Sequence, residues 1–239
     1  MLEPLIRGLE RRDRLTPEEK AVIGQLPSHT RTFQGGEELV SEGSRQRESC
    51  LILSGFTARA QFLSDGRRQI TAVHIAGDFV DLHALLLKVM DHSVVALRRC
   101  EAAFVPHDSL LEVIQKAPHL GRMFWLSTVI DAAIQRTWIT SIGRRSPGQH
   151  IAHLLCELYL RLETVGLVQT DSFEFPPTQG DIADMLGLSV VHVNRTIQEL
   201  RSSGLVRWSN NIVTIVDMER LKAFADFDPT YLNLLNEPR

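Results

Sequence analysis

"TQGDIADMLGLSVVHVNRTIQELRSSG", residues 178–204, decides the fold. Two stretches of helical periodicity meet at Gly187-Leu188-Ser189. Thr178 and Asp181 stand at capping-box spacing, so a helix starts there. Ile182 and Leu186 are four residues apart and point inward, and Ala183 is small where another helix must pass close. Gly187 permits the left-handed conformation that ends a helix. Leu188 plugs the corner, and Ser189 suits the N-cap of the second helix. Val193, Ile197 and Leu200 form the inward face of that helix; Val191, Arg195, Gln198 and Ser202 form the opposite one. Two helices joined by a three-residue, Gly-containing turn, the second polar outward, predict a DNA-reading helix-turn-helix. A plain helical hairpin with the same core is the alternative.

The flanks favour the first reading. "SFEFPP" (172–177) precedes the motif as a short strand, and "LVRWSNNIVTIVD" (205–217) follows it as two alternating strands around Ser209-Asn210-Asn211. A strand before and a hairpin after make a winged helix-turn-helix. "MERLKAFADF" (218–227) predicts a terminal helix before a tail. Upstream, "QHIAHLLCELYLRLETVG" (149–166) predicts an amphipathic helix behind the linker "RRSPGQ" (144–149).

The long stretch 119–143 predicts a helix of about 25 residues, or ~37 Å. Its apolar residues, among them Phe124, Val129, Ile130, Ile134, Ile139 and Ile142, cover more than one stripe. One face must pack on its own domain and another elsewhere. A second copy of the chain is the economical partner, giving a homodimer through a coiled-coil-like seam. The central helix of a monomer is the alternative.

Between residues 31 and 106 short apolar runs such as "CLILS", "TARAQFL", "RRQITAVHI" and "CEAAFVP" alternate with turn signals. They predict an antiparallel sandwich or barrel, with a hairpin at Asp65-Gly66. "DFVDLHALLLKVMDH" (78–92) breaks the pattern and predicts a loop with a short helix. Thr16, Pro17 and Glu19 start a short helix at 16–26. The fold class is α+β, divided as 1–118, 119–145 and 146–239.

The chain of 239 residues carries a net charge of −3, and from Arg145 onward it holds 8 Lys/Arg against 12 Asp/Glu. Any DNA contact therefore relies on a local patch. Cys50, Cys100 and Cys156 are widely spaced and read as buried structural thiols rather than a disulfide or zinc framework. No apolar run is long enough for a membrane span, and the charged N-terminus lacks a secretory core, so a cytoplasmic, membrane-free location is expected.

These features together resemble the CRP/FNR family of transcription regulators. The motif matches the family's DNA-binding signature at Ile182, Gly187, Ser189, Val193 and Arg195, and "LILSGFTARAQFLSDGRRQI" matches its sandwich hairpins. The resemblance implies a cyclic-nucleotide-binding-like jelly roll, a dimerisation helix and a winged helix-turn-helix. It implies an homodimer on a pseudo-palindromic double-stranded DNA site, with RNA polymerase as a further partner.

By that resemblance Val190, Val191 and Arg195 occupy base-reading positions, where relatives often carry Arg or Glu at the first two. Valine methyls can pack on a thymine methyl, Arg195 fits guanine, and Asn194 can pair with adenine. Thr178, Ser189 and His192 suit phosphates, and Gln179 and Gln198 complete the expected interface. Val190, three residues before Val193, is alternatively a core residue.

In cyclic-nucleotide-binding relatives a Gly-Glu pair opens a phosphate cassette that ends in Arg-Ser or Arg-Thr. Here Gly77-Asp78 stands at the first and His92-Ser93 at the second, and the loop is longer and apolar. A neutral His is a poor replacement for a bidentate Arg, so cyclic nucleotide is disfavoured. Gly77, Asp78, Asp81, His83, His92 and Ser93 are the effector-pocket candidates. No cysteine precedes Cys50, so the family's N-terminal iron–sulfur sensor is absent. No cofactor is identified; haem stays open, with His83 and His92 as candidate ligands. No nucleophile–base pair or phosphate loop marks an enzyme. A cupin-like metal enzyme could use His74 and His83 but lacks a clear third ligand. A ligand-binding module without DNA binding is the other rival.

Overall fold

The computed structural model describes residues 2–239. Helices α1 (Glu3–Glu10) and α2 (Pro17–Gly24) lead into seven strands: β1 (His29–Phe33), β2 (Glu38–Val40), β3 (Glu48–Ser54), β4 (Thr57–Phe62), β5 (Arg68–His74), β6 (Ser93–Ala96) and β7 (Cys100–Pro106). They form two sheets, ordered β1-β7-β3 and β2-β6-β4-β5. Phe33, Ile52, Val94, Ala102 and Phe104, from both sheets, share one buried cluster between them. This is the expected jelly roll. The β4–β5 hairpin turns through Gly66, whose φ of +82° admits glycine readily. The irregular segment 75–92 carries a 3-10 turn at Leu82–Leu85.

Helix α1, strand β1 and strand β6 were not anticipated. α1 packs Leu5 and Leu9 against the sandwich. Its closeness explains Gly77. That residue has φ +94°, and a Cβ there would lie 2.8 Å from the Pro4 carbonyl. Gly77→Ala is expected to cost ~1–3 kcal/mol, read as a lower urea midpoint at unchanged slope.

α3 (His107–Lys116) leads to α4 (Pro118–Arg144), a single helix of 27 residues with Pro118 in its first turn. Leu120, Met123, Phe124, Ile130, Ile134 and Trp138 are buried along one face. Trp125, Val129, Ile139 and Ile142 lie exposed on another. α5 (Pro147–Thr164) follows after only Arg145 and Ser146; Ser146 and Gln149 close a reciprocal capping box. From His150 to Tyr159 every residue of α5 is buried, as befits a helix enclosed on all sides.

The C-terminal part comprises β8 (Ser172–Glu174), α6 (Gln179–Leu186), α7 (Val190–Ser202), β9 (Val206–Ser209), β10 (Ile212–Ile215) and α8 (Met218–Ala225). The three strands form one sheet, ordered β8-β10-β9. This is the expected winged arrangement. The final residues return to the N-terminus: the Glu237 amide donates to the Arg12 carbonyl at 3.0 Å. Cys50, Cys100 and Cys156 are free and buried. Among the described residues no helix is long and apolar enough to cross a membrane.

Candidate nucleic-acid interface and effector pocket

Local chemistry sets the geometry of α6 and α7. The Asp181 amide donates to Thr178 Oγ1 at 3.0 Å, and the Thr178 amide and hydroxyl both donate to the Asp181 carboxylate at 2.8 and 2.7 Å. Gly187 ends α6 at φ 66°. The His192 amide donates to Ser189 Oγ at 3.3 Å and so caps α7. Val193, Ile197 and Leu200 are buried, as the spacing requires.

The outward face is free. Val191 is 81% exposed, and Val190, at 48%, is not a core residue. Helix α7 begins at Val190, which places that side chain outside the packed seam. Thr178, Gln179, Ser189, Asn194, Arg195 and Gln198 are exposed, and His192 is half-buried. Asn194 Nδ2 donates to Gln179 Oε1 at 3.2 Å, linking the two helices across their exposed side. Arg195 has only Glu199 near it, at 3.7 Å; an exposed pair of this kind leaves the guanidinium available. Arg201 and Arg207, on α7 and the wing, are exposed as well.

The effector candidates do not converge. A cavity of about 410 Å³ opens between the β4–β5 hairpin, the loop 75–92 and α4, and of the six candidates only His83 and His92 line it. Gly77 and Asp78 face a second cavity of about 80 Å³, beside Arg12 and Arg161. Asp78 is held there by Arg161 Nη2 at 2.7 Å. The Asp81 carboxylate accepts the Cys50 amide at 2.7 Å, and Ser93 Oγ accepts the Glu42 amide at 3.1 Å. Asp81 thereby braces β3, and Ser93, at the start of β6, braces the turn after β2. The carboxylate that stands in the Glu position is thus spent on α5.

Three residues of the larger cavity were not anticipated: Arg59, Asp91 and Asp131. Arg59 projects from β4 and is buried. Its Nε donates to His92 Nε2 at 3.2 Å, and its Nη2 pairs with Asp131 of α4 at 2.9 Å. His92 Nδ1 lies 2.7 Å from Asp91, and the His83 and His92 rings are 5.2 Å apart. Burial, reinforced by the Arg59 charge, lowers the pKa of His83 to about 4 and moves that of His92 down too. Both are therefore neutral imidazoles at neutral pH. The only sequence hint was an arginine between two alanines in a strand, "TARAQF".

The cavity communicates with the DNA-reading helices. Gln69 lines it, and Gln69 Nε2 also donates to the Asp184 carbonyl of α6 at 2.7 Å. The neighbouring Arg68 pairs with Asp181 at 2.6 Å and with Asp184 at 2.7 Å. The β4–β5 hairpin thereby grips the helix that carries the first cap of the motif.

Comparison with known proteins adds two domain matches. Residues 30–117 match the cyclic nucleotide-binding domain, and residues 149–224 match the Crp-like helix-turn-helix domain. A probable transcriptional activator of Rhizobium leguminosarum bv. viciae is 27% identical over 206 residues, covering 85% of each chain. The transcriptional activator protein FnrL of Cereibacter sphaeroides is 26% identical, covering 87% of this chain and 84% of its own. FixK2 from Bradyrhizobium japonicum has the same fold, with a TM-score of 0.75 at 23% identity over 83% of this chain and 98% of that one. A CooA mutant from Carboxydothermus hydrogenoformans has a TM-score of 0.66 at 15% identity over 88% of this chain and 92% of that one.

Proposed function

The chain belongs to the CRP/FNR family of transcription regulators, and on that premise we propose that it acts as a homodimer on a pseudo-palindromic DNA site under control of a small effector. It is a regulator with a DNA-binding helix-turn-helix and not an enzyme. The division into a sensory part (1–118), a dimer helix with hinge (119–145) and a DNA-reading part (146–239) is part of this reading. So are a cytoplasmic location and contact with RNA polymerase at the promoter.

The observation that carries DNA reading is the capped, unobstructed outer face of α7. Val190 and Val191 supply methyl contacts, Arg195 and Asn194 read base edges, and Thr178, Gln179, Ser189, His192 and Gln198 border them. Two such helices in a dimer address half-sites one turn of DNA, ~34 Å, apart. Arg195→Ala is expected to weaken specific binding by ~1–3 kcal/mol, about 5- to 150-fold, and to relax discrimination at one base pair. A gel shift against a matched panel of single-base-pair variants, with size-exclusion chromatography as the folding control, checks this. Unchanged discrimination would remove Arg195 from the interface.

The effector site is the cavity of about 410 Å³, a size suited to a small molecule. Asp78 and His92 do not form a phosphate cassette there, which argues against a cyclic nucleotide held in the family's usual way. Haem is the alternative, and the visible absorbance of the purified protein decides it. Control passes along two routes. Arg59 joins the cavity to Asp131 of α4, and Gln69 joins it to α6. An occupant that shifts either side chain biases the helix-turn-helix relative to the dimer axis.

A further inference from the structure

His83, Asp91 and His92 form a cluster whose chemistry goes beyond a generic effector pocket. One ring nitrogen of each histidine and one carboxylate oxygen of Asp91 lie within 4.8 Å of one another. His83 Nε2 is buried and has no hydrogen-bond partner. A buried, unpaired imidazole nitrogen needs a reason. We propose that these three residues bind a first-row divalent transition metal ion, of the Zn²⁺, Co²⁺ or Ni²⁺ class, at the edge of the large cavity.

The donor set selects the ion class. Two imidazoles and one carboxylate suit Zn²⁺, Co²⁺, Ni²⁺ or Fe²⁺, whereas Mg²⁺ and Ca²⁺ prefer oxygen ligands throughout. One pair of donors already meets what coordination requires, and the His83 nitrogen stands within 4.8 Å of both. Metal–ligand bonds of about 2.1 Å place neighbouring donors about 3 Å apart. His92 Nδ1 and Asp91 Oδ1 already stand at 2.7 Å. The cavity beside them keeps further coordination positions open to solvent or to a small ligand.

Arg59 does not oppose the ion with an uncompensated charge, because Asp131 pairs with it at 2.9 Å. Its guanidinium can only donate, so His92 Nε2 is the acceptor and Nδ1 carries the ring proton toward Asp91. A cation takes the place of that proton. The proton moves to Nε2 by way of solvent, with none released overall by the ring. Arg59 then loses its acceptor on His92 and keeps Asp131 on α4. The ion thus releases from His92 the side chain that ties the cavity to α4, the helix proposed to carry the dimer seam. The site itself stands on its own geometry; only this link to DNA rests on the reading of the cavity as the effector site.

Tag-free, chelator-treated full-length protein titrated with Co²⁺ tests it, followed by the visible ligand-field absorbance. One Co²⁺ per chain is expected, displaced stoichiometrically by Zn²⁺. Asp91→Asn and His83→Ala should each weaken binding by about tenfold or more. The Asp91 side chain is 72% exposed, so its replacement leaves folding intact. Absence of the band, or binding unchanged in both variants, overturns the proposal. A gel shift of the same chelator-treated protein reports the DNA-reading assignment separately. Loss of DNA binding with an intact Co²⁺ titration would sink that assignment and leave the metal site standing.

Discussion

Ile139→Glu is expected to run as a monomer and to lose high-affinity DNA binding, because the proposed dimer would be seamed along α4. Trp125, Val129, Ala132 and Ile139 fall at i, i+4, i+7 and i+14 on α4, the spacing of a two-stranded coiled-coil seam. Trp125 is 71% exposed and Ile139 70% exposed in the single chain. Arg136 takes the i+11 place of this spacing, so the stripe is apolar at its two ends and polar between them. Exposed Trp125, Val129 and Ile139 are unfavourable in water, and a second α4 is the partner we propose for them. A carboxylate at position 139 would face its own copy across a dry seam, where desolvation and like-charge repulsion act together. The variant should run as a monomer in size-exclusion chromatography at concentrations where the parent is dimeric. Because two linked half-sites gain affinity through effective concentration, binding to the full site should fall by about 10²- to 10⁴-fold. Ile139→Leu should preserve both properties. A dimeric Ile139→Glu variant would mean that α4 is not the seam.

The helix-turn-helix was legible because each of its signals is local. Thr178 with Asp181, Gly187, Ser189 and the Val193/Ile197/Leu200 spacing each act over a few residues, and each does its expected work. The strands between 48 and 74 were legible for the same reason: their apolar runs end in glycine turns. β1 was not, because "HTRTF" is exposed at four of its five positions and shows no alternation. It is held by pairing with β7, a partner about seventy residues away. The candidate effector pocket was the least legible part. Family spacing put Asp78 and His92 in one cassette, but Asp78 is drawn to Arg161, which lies 83 positions away in sequence. Nothing in the local sequence announces a partner at that distance. The same holds for Arg59 with Asp131 and for Arg68 with Asp181. The residues that build the helices are read from their neighbours, whereas the residues that connect the two halves are set by tertiary contacts.

Arg161→Ala is expected to lose one such set of contacts at a large cost in stability. Arg161 extends from α5 and donates to the Val73 carbonyl at 2.9 Å, to Asp78 at 2.7 Å and to Glu157 at 3.1 Å. Glu157 is fully buried, and its other oxygen accepts from Trp138 and Tyr231. One guanidinium therefore satisfies a strand of the sandwich, the Gly77-Asp78 turn and the core of α5. Removing it leaves a buried carboxylate without its cation, at an expected cost of ~3–5 kcal/mol. Burial already raises the Glu157 pKa, and Arg161, Tyr231 and Trp138 hold the rise in check. Without Arg161 the folded-state pKa climbs further above the unfolded value. For a carboxyl shifted in this direction, stability is fully present below the unfolded pKa and is lost as pH rises through the folded one. The deficit of Arg161→Ala relative to the parent should accordingly be larger at higher pH and should narrow as the pH falls and Glu157 takes up a proton. Urea midpoints of both proteins at pH 5.5 and pH 8 measure this. A deficit independent of pH would mean that the loss comes from the Val73 and Asp78 contacts rather than from the buried charge. Arg161→Ala, Glu157→Gln separates the two: it should recover the charge-dependent part and leave the pH-independent part, because the neutral amide needs no cation.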